Sequence, residues 1–385
     1  MKNVIYFDGN ATTPLDERVL EVMLPYLKDC FGNSASIDHV YGIEAKRAVD
    51  NARECISDII KTSPSEIIFT SGATESNNLA IQGIMKANAE KGKHLITSVT
   101  EHPAVLETFK MMEANGYEAT YVPVDQYGVI DLDMLKKSVR PDTVMVSIMA
   151  ANNEIGTLAP LKEIGSITRE AGVIFHTDAA QAVGHVPIDV QSMKIDCMSI
   201  SGHKCCGPKG IGALYIRKSN PRVKLLPSVF GGGHERGYRS GTLNVPGIVG
   251  LGKAIQISKK EMAFEAKRFT QWRKYLLSYF SENDIVVELN GHPNNRIPHN
   301  ISIYIPGIEN KALLNRLKEF ALSAGSACST LEAAESHVVK ALHLQERRSF
   351  NTIRIGFTRL NTKSEVEHLA KHIAEEVKGI RNIFG

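Results

Sequence analysis

The sequence lacks the features of a membrane, secreted or nucleic-acid-binding protein. No apolar run in its 385 residues approaches the roughly 20 residues that cross a bilayer, so we expect no membrane association. The formal net charge of only +3 gives no basis for a direct nucleic-acid-binding surface. The N-terminus runs directly into polar sequence, which predicts that no signal peptide is present.

The cysteines lack the spacing of a disulfide framework. The six cysteines include no CxxC pair, and their scatter is typical of reduced thiols in a cytosol, so we expect a cytoplasmic protein. No metal site is predicted. A hydrophobic content of 43% over 385 residues predicts a globular chain that is long enough for two domains.

Short apolar runs alternate with amphipathic helical patterns along much of the chain. Buried strands are predicted at residues 66–69, 94–98, 143–148, 173–176, 197–200 and 212–216. Helical patterns lie at residues 75–91, 104–115 and 161–171, and one or two long helices are predicted over 245–280. This alternation predicts an α/β domain with a mostly parallel sheet. A second domain is predicted to contain strands at 300–304 and 353–356 and a terminal helix at 364–383.

One lysine and one aspartate indicate a particular cofactor. Lys204 stands in the motif Ser-Gly-His-Lys, and Asp178 stands in His-Thr-Asp-Ala-Ala-Gln. A lysine that holds a pyridoxal cofactor covalently needs an acidic partner for the pyridine nitrogen, because the protonated ring takes electrons from a substrate carbanion. The pair therefore indicates pyridoxal phosphate (PLP) chemistry. Far downstream, Cys328 lies among small residues, as a mobile loop would require.

Further candidates follow the predicted strands. Residues 71–77 could bind a phosphate at a helix N-terminus, although an ordinary capped helix is equally consistent. A histidine after a strand is more often structural, and an asparagine there is often a turn residue. Co-location weakens these alternatives, because strand ends of a parallel sheet share the edge where ligands collect. The candidates at strand ends are Thr74, His102, Asn153, Asp178 and Lys204.

Two other segments remain open on the residues alone. The glycine-rich residues 231–242 form either a flexible surface connection or a loop that reaches a phosphate, in the same or in a partner subunit. Arg354 lies in a predicted strand, where its guanidinium could hold a substrate carboxylate by two hydrogen bonds or make a surface salt bridge.

Taken together, these segments resemble the cysteine desulfurases, class V members of the fold-type I PLP enzymes. The segments that carry the resemblance are residues 8–14, 31–33, 70–77, 101–102, 152–156, 176–181, 201–210, 231–242 and 323–328. The resemblance implies a large PLP-binding domain, residues 13–258, with a mostly parallel seven-stranded sheet. A small α+β domain would combine residues 1–12 and 259–385 and carry the loop of Cys328. Active sites of this fold lie at a dimer interface, so a homodimer is expected.

The resemblance also assigns roles. It implies that Lys204, His102 and Cys328 are catalytic and that Asn153 and Arg354 bind the substrate carboxylate. It implies a set of cofactor-binding residues: Ala73, Thr74, His102, Asn153, Asp178, Gln181, Ser201, His203, Lys204 and, from the other subunit, Thr242.

The reaction that the resemblance implies converts L-cysteine to L-alanine and leaves a persulfide on Cys328. The sulfur would pass to an acceptor protein for iron–sulfur cluster biogenesis, tRNA thiolation or DNA phosphorothioation. A selenocysteine lyase or another class V PLP enzyme is the alternative, and a non-catalytic sulfur carrier is a further one. Cys205 and Cys206 replace an apolar or aromatic pair of the family, and we expect passive packing rather than sulfur relay.

Overall fold

The computed structural model describes residues 4–325 and 335–384. The strands are β1 (Ile5–Tyr6), β2 (Ile67–Thr70), β3 (His94–Ser98), β4 (Glu118–Val122), β5 (Thr143–Ser147), β6 (Ile174–Asp178), β7 (Cys197–Ser201), β8 (Gly212–Ile216), β9 (Glu288–Leu289), β10 (Asn300–Tyr304), β11 (Phe320–Ala321) and β12 (Thr352–Gly356). The α-helices are α1 (Glu17–Lys28), α2 (Val40–Ile60), α3 (Ala73–Ala87), α4 (Pro103–Ala114), α5 (Leu132–Ser138), α6 (Leu161–Glu170), α7 (Val245–Glu282), α8 (Asn310–Arg316), α9 (His337–Ala341) and α10 (Lys363–Phe384). Short 3₁₀ helices occupy Pro64–Glu66, Gly202–Lys204, Glu235–Gly237 and Arg348–Asn351.

The central sheet has seven strands in the order β2-β8-β7-β6-β5-β3-β4. Strand β8 is antiparallel to both of its neighbours, and the other pairs are parallel, which confirms the α/β class and the mostly parallel sheet. The six strands predicted between residues 66 and 216 all belong to this sheet, and those predicted at 300–304 and 353–356 are β10 and β12 of a second sheet. The seventh strand of the central sheet, β4, was not predicted, because at the sheet edge its side chains are mostly only partly buried and form no apolar run.

Side chains alternate between the two faces of this sheet, as the pleat of a strand requires. In β2, Ile67 and Phe69 pack in a cluster with α1, α2, α6 and the first part of α7. Ile68, between them, packs on the opposite face with α3 and α4. Both faces are therefore covered by helices, which explains why the central strands read as continuous apolar runs in the sequence.

Helix α7 belongs to two hydrophobic clusters at once. The predicted one or two helices form a single helix of 38 residues, about 57 Å long. Its first part packs on the central sheet, whereas Phe269, Trp272, Leu276 and Phe280 belong to a separate cluster with α10. That second cluster covers the antiparallel sheet β12-β10-β9.

The N-terminal segment packs with strands from the end of the sequence. Strand β1 pairs in parallel with β11, and the Gly9 amide donates to the Gly356 carbonyl oxygen at 2.9 Å. Residues 8–13 are thereby held between the antiparallel sheet and the central sheet. Within the described residues, no helix combines the length and the apolar character needed to cross a membrane.

Candidate active site

The strand ends of the central sheet open into a cavity of about 740 Å³. Asp178 is the last residue of β6, and Lys204 ends the 3₁₀ helix that follows β7. His102 and Asn153 follow β3 and β5, so the parallel strands bring all four to one edge. The predicted site residues that line the cavity are Ala73, Thr74, His102, Asn153, Asp178, Gln181, Ser201, His203, Lys204 and Arg354.

Two predicted site residues stand apart from this set. Thr242 is exposed and does not line the cavity of its own chain. Cys328 lies outside the described residues. The residues that follow that interval do reach the cavity, since Glu335, Ser336 and His337 all line it.

Lys204 is held by the backbone of the N-terminal segment. Its Nζ donates to the carbonyl oxygen of Asn10 at 2.6 Å and to that of Ala11 at 2.7 Å. From the opposite side, the Nε2–H of His185 donates to the Lys204 carbonyl oxygen at 2.9 Å. Burial lowers the pKa of His185 to about 4, so this ring is neutral at pH 7. The side-chain amine and the backbone carbonyl of Lys204 are therefore both held by groups that carry no charge at pH 7.

Asp178 is a buried carboxylate at the inner end of the cavity. Its Oδ2 accepts a hydrogen bond from the Asn77 side-chain amide at 2.7 Å, and its Oδ1 accepts from the Ala180 amide at 2.9 Å. The Oδ1 of Asn77 is buried and makes no hydrogen bond. A buried anion is stabilised by a nearby positive group, so a protonated ring nitrogen fits this end of the cavity. Asn77 stands in the motif at 71–77, but sequence reasoning gave it no role.

His102 presents one defined nitrogen to the cavity. It caps α4, because its Nδ1 accepts a hydrogen bond from the Ala104 amide at 3.1 Å. In the neutral ring the proton must therefore lie on Nε2. Burial is the largest influence on His102 and lowers its pKa, while Asp178 opposes that shift. At neutral pH the ring is a neutral hydrogen-bond donor.

The opposite end of the cavity is suited to an anion. Ala73 and Thr74 form the first turn of α3, whose N-cap residue Gly72 offers no side chain to the free backbone amides. Helix N-termini of this kind bind phosphate groups. His203 lies nearby, with its Nδ1 at 3.0 Å from the Thr12 hydroxyl oxygen. Burial, reinforced by Lys204 and Lys209, lowers the pKa of His203 to about 4.

Arg354 forms the third part of the cavity from strand β12. Only 1% of the residue is exposed, so the surface salt bridge considered above is wrong. Its Nη2 pairs with Asp8 Oδ1 at 2.8 Å, and its Nη1 donates to the Asn153 carbonyl oxygen at 3.1 Å. Its Nε is buried and makes no hydrogen bond. The guanidinium therefore keeps donor capacity at the cavity wall.

Two further residues that received no role from the sequence support the site. Asn10 is buried, its carbonyl oxygen accepts from the Gln181 amide at 2.8 Å, and its Oδ1 accepts from Asn300 at 3.1 Å. Glu101 also lines the cavity, and its complete burial raises its pKa well above the ordinary value. Asn10 lies in the motif at residues 8–14, which was the available sequence signal.

Cys205 and Cys206 are packed behind Lys204 and do not line the cavity. Both are almost fully buried, and Cys205 belongs to the main hydrophobic cluster. Burial raises the pKa of Cys205 to about 12 and also raises that of Cys206, so both remain thiols at neutral pH. These observations favour passive packing over sulfur relay.

Comparisons with known proteins agree along the whole chain. Residues 5–369 match the family described as aminotransferase class V. A cysteine desulfurase IscS of Anaeromyxobacter sp. (strain Fw109-5) is 45% identical over 383 residues, which cover 100% of this chain and 95% of the relative. A solved NifS-like protein is 38% identical with a TM-score of 0.90, covering 97% of this chain and 99% of its own. A structure described as SspA in complex with cysteine is 37% identical with a TM-score of 0.82, covering 93% and 100%.

Proposed function

Because this chain belongs to the aminotransferase class V family and is similar to cysteine desulfurases over its whole length, we propose that the cavity described above is the site where sulfur is removed from L-cysteine. The protein is a PLP-dependent cysteine desulfurase. The observation that carries the residue assignment is the convergence of Lys204, Asp178 and His102 in one cavity of about 740 Å³.

We propose that Lys204 and Asp178 hold the cofactor at the inner end of the cavity. Asp178 would keep the ring nitrogen protonated, and Gln181 would contact the phenolic oxygen. When bound, PLP supplies an acceptor for the electron pair left at the substrate Cα. The first turn of α3, with Ala73 and Thr74, would bind the phosphate group, joined by Ser201 and His203.

Lys204 also acts as the base in this proposal. Its Nζ would take the proton from the substrate Cα, since Lys204 lines the cavity together with Asp178 and its amine is held there by two backbone carbonyls. The two carbonyl oxygens, of Asn10 and Ala11, orient the amine before the substrate enters. Positioning of this kind lowers the entropic part of the barrier.

His102 would stack on the cofactor ring and donate from Nε2. Its cap on α4 fixes this tautomer, because a proton on Nδ1 would meet the Ala104 N–H. A proton transfer through His102 therefore passes through Nε2. The neutral His102 imidazole adds no charge to the site. Asp178 is therefore the dominant partner of the nitrogen in the cofactor ring.

Arg354 and Asn153 would bind the carboxylate of L-cysteine. A guanidinium holds a carboxylate by parallel hydrogen bonds that a lysine cannot reproduce. Two of the donors of Arg354 already fix its position through Asp8 and the Asn153 carbonyl. The substrate carboxylate would take the remaining donor capacity together with the Asn153 side-chain amide.

Cys328 would be the acceptor of the sulfur atom. Its thiolate would attack the substrate Sγ, so that an S–S bond forms and the substrate Cβ–Sγ bond breaks. The electron pair and a proton end on Cβ, and Lys204 would return the abstracted proton to Cα, which gives L-alanine and a persulfide on the enzyme. Gly325, the last described residue before Cys328, lies beside Glu154, which lines the cavity.

A homodimer forms part of the proposal, because eight apolar side chains in the first part of the chain are exposed. They lie on α1, at residue 31 and around the start of α2, where Phe31 stacks on Tyr41 at 5.4 Å. Large exposed apolar patches mark interaction sites. The exposed apolar side chains are Leu20, Leu24, Leu27, Phe31, Ile37, Val40, Tyr41 and Ile43. Thr242, exposed in its own chain, would complete the phosphate site of the second subunit.

The domain division and the cellular setting are proposed with the function. We divide the chain into a large domain, residues 13–258, and a small domain of residues 1–12 and 259–385, joined within α7. Five described cysteines are free, which is typical of a reducing compartment and supports a cytoplasmic location. The acceptor would be a protein of iron–sulfur cluster biogenesis, tRNA thiolation or DNA phosphorothioation.

The test is the formation of alanine and sulfide from L-cysteine with a reductant, in the wild-type protein and in Cys328→Ala. We expect turnover in the wild type, loss in the variant, and the same cofactor absorbance in both. A persulfide mass on the peptide that contains Cys328 is expected in the wild type alone. Equal turnover in both proteins would remove Cys328 from the reaction and favour a selenocysteine lyase.

A further inference from the structure

A second group of chemically active side chains lies outside the cavity, where α10 meets β11. Glu319 immediately precedes β11, and His368 and His372 lie one helical turn apart on α10. A carboxylate oxygen of Glu319 and one ring nitrogen from each histidine all lie within 4.8 Å of one another. None of the three lines the cavity described above.

The spacing of these atoms matches a tetrahedral metal site. The Nε2 of His368 is 3.2 Å from Glu319 Oε2, and the Nε2 of His372 is 2.9 Å from Glu319 Oε1. Ligands about 2.0–2.2 Å from a tetrahedral zinc ion lie roughly 3.4 Å from one another. Small movements of the carboxylate would therefore admit an ion between the three side chains.

The hydrogen bond of His372 provides a second, independent observation. Its Nδ1 lies 3.0 Å from the carbonyl oxygen of His368, so Nδ1 carries a proton and donates it. In the neutral ring, Nε2 then directs its lone pair at the Glu319 carboxylate. The lone pairs of this nitrogen and of the carboxylate oxygen repel each other unless a cation, either a proton or a metal ion, lies between them. Metal-binding histidines commonly donate their second N–H to a backbone carbonyl in this way.

The surroundings fix the rings and leave room for water. The Phe320 ring centroid lies 5.3 Å from that of His368 and 5.7 Å from that of His372, which restricts both imidazoles. The side chains of His372, His368 and Glu319 are 28%, 41% and 43% exposed, so solvent can complete the coordination. Two imidazoles and one carboxylate are a ligand set suited to zinc.

We propose that Glu319, His368 and His372 bind a zinc ion that joins α10 to the segment leading into β11. The sequence analysis predicted no metal site, although His-x-x-x-His on a helix places two histidines on one face. This site is independent of the reaction in the cavity.

The test titrates Zn²⁺ into the metal-stripped holoenzyme by calorimetry, in a Cys328→Ser background that removes a competing thiol. We expect one ion per chain and an affinity at least about tenfold lower in Glu319→Gln and in His372→Ala. Glu319→Gln keeps the side-chain shape, so loss of binding there does not depend on misfolding. Glu375→Gln removes an exposed carboxylate from the same helix and serves as the matched control with unchanged affinity.

Two further readouts decide between a metal site and a simple ion pair. Zn²⁺ should raise the unfolding temperature of the parent and of Glu375→Gln, but not of His372→Ala, because only a bound ion stabilises the folded state. Crystals soaked in Zn²⁺ should show an anomalous peak among the three side chains. No Zn²⁺ binding by the parent, or equal affinity in the parent and in Glu319→Gln, would overturn the proposal.

Discussion

The wall of the cavity that carries His102, Asp178 and Lys204 is assembled by one sheet, whereas the wall that carries Arg354 is assembled from opposite ends of the sequence. We call them the sheet wall (His102, Asp178, Lys204) and the composite wall (Asn10 and Arg354, with Asp8 behind the arginine). In the sheet wall, parallel strands place each residue by their shared direction. In the composite wall, Arg354 is placed by Asp8, 346 residues earlier. Under the proposed function, reactive groups come from the first wall and substrate recognition from the second.

The largest expected effect on activity comes from removing the catalytic base of the sheet wall. Lys204→Ala should lower the rate of alanine formation by about 10³-fold, because a positioned general base contributes roughly 10²–10⁴-fold. Steady-state turnover of L-cysteine measures this. Lys209→Ala changes another lysine at the same cavity and should cost less than tenfold. Near-wild-type turnover in Lys204→Ala would contradict the assignment of the base.

Arg354→Lys should weaken substrate binding by the composite wall and leave the reactive groups of the sheet wall unchanged. We expect KM for L-cysteine to rise roughly 10- to 100-fold with a smaller change in kcat, since hydrogen bonds to charged groups contribute about 1.5–3 kcal/mol. Initial rates over a range of cysteine concentrations separate the two constants. Arg316→Lys, at an exposed ion pair with Glu376, is the matched control. A loss confined to kcat would place Arg354 outside substrate recognition.

Acid should destabilise the central sheet that carries the sheet wall, through the buried His176 of β6. His176 hydrogen-bonds to the hydroxyl oxygens of Ser147 and Ser199, and burial lowers its pKa to about 4. Between pH 6.5 and 4 the unfolded chain binds more protons than the folded one, so stability falls as the pH falls. This histidine should account for on the order of 3 kcal/mol of that loss.

Urea unfolding of the holoenzyme at several pH values measures the slope. His176→Gln should be less stable at pH 7 and should lose less stability on acidification than the wild type. The exposed His343→Gln serves as the control and should keep the wild-type slope. An unchanged slope in His176→Gln would show that this ring does not titrate in the window.

The smallest expected effect concerns the thiols behind the sheet wall. Cys205→Ala should keep turnover within about threefold of the wild type and lower the free energy of unfolding by about 1 kcal/mol, because it leaves a small buried void. Turnover and urea unfolding of the same preparation provide both numbers. A tenfold loss of turnover with intact cofactor absorbance would instead favour sulfur relay through Cys205.

The contrast between the walls also explains what the sequence could predict. Asp178 and Lys204 follow apolar runs that are recognisable as buried strands, so the strand-end rule brings them together without knowledge of the fold. Arg354 was predicted as a candidate, but its pairing with Asp8 was not, because no periodicity links two residues so far apart. The role of Asn10 depends on its backbone carbonyl, which every residue type possesses.

The limits of the fold prediction have similar physical causes. Strand β4 carries mostly half-buried side chains, so its apolar signal is weak although its pairing with β3 is regular. Helix α7 changes its packing partners along its length, which leaves a single continuous helix without one consistent apolar face. Thr242 would complete the phosphate site of a second copy, a role that the family resemblance implies and that no periodicity of one chain indicates.

The N-terminal segment has a consequence for synthesis of the protein on the ribosome. Residues 8–11 are translated before the partners that fix them, which are β12, through Gly356 and Arg354, and the side chain of Lys204. The central sheet can form once β8 has emerged, whereas the composite wall must wait for β12. We therefore expect nascent chains to acquire the sheet before they acquire a closed cavity, which makes tight retention of ligands a late event in biosynthesis.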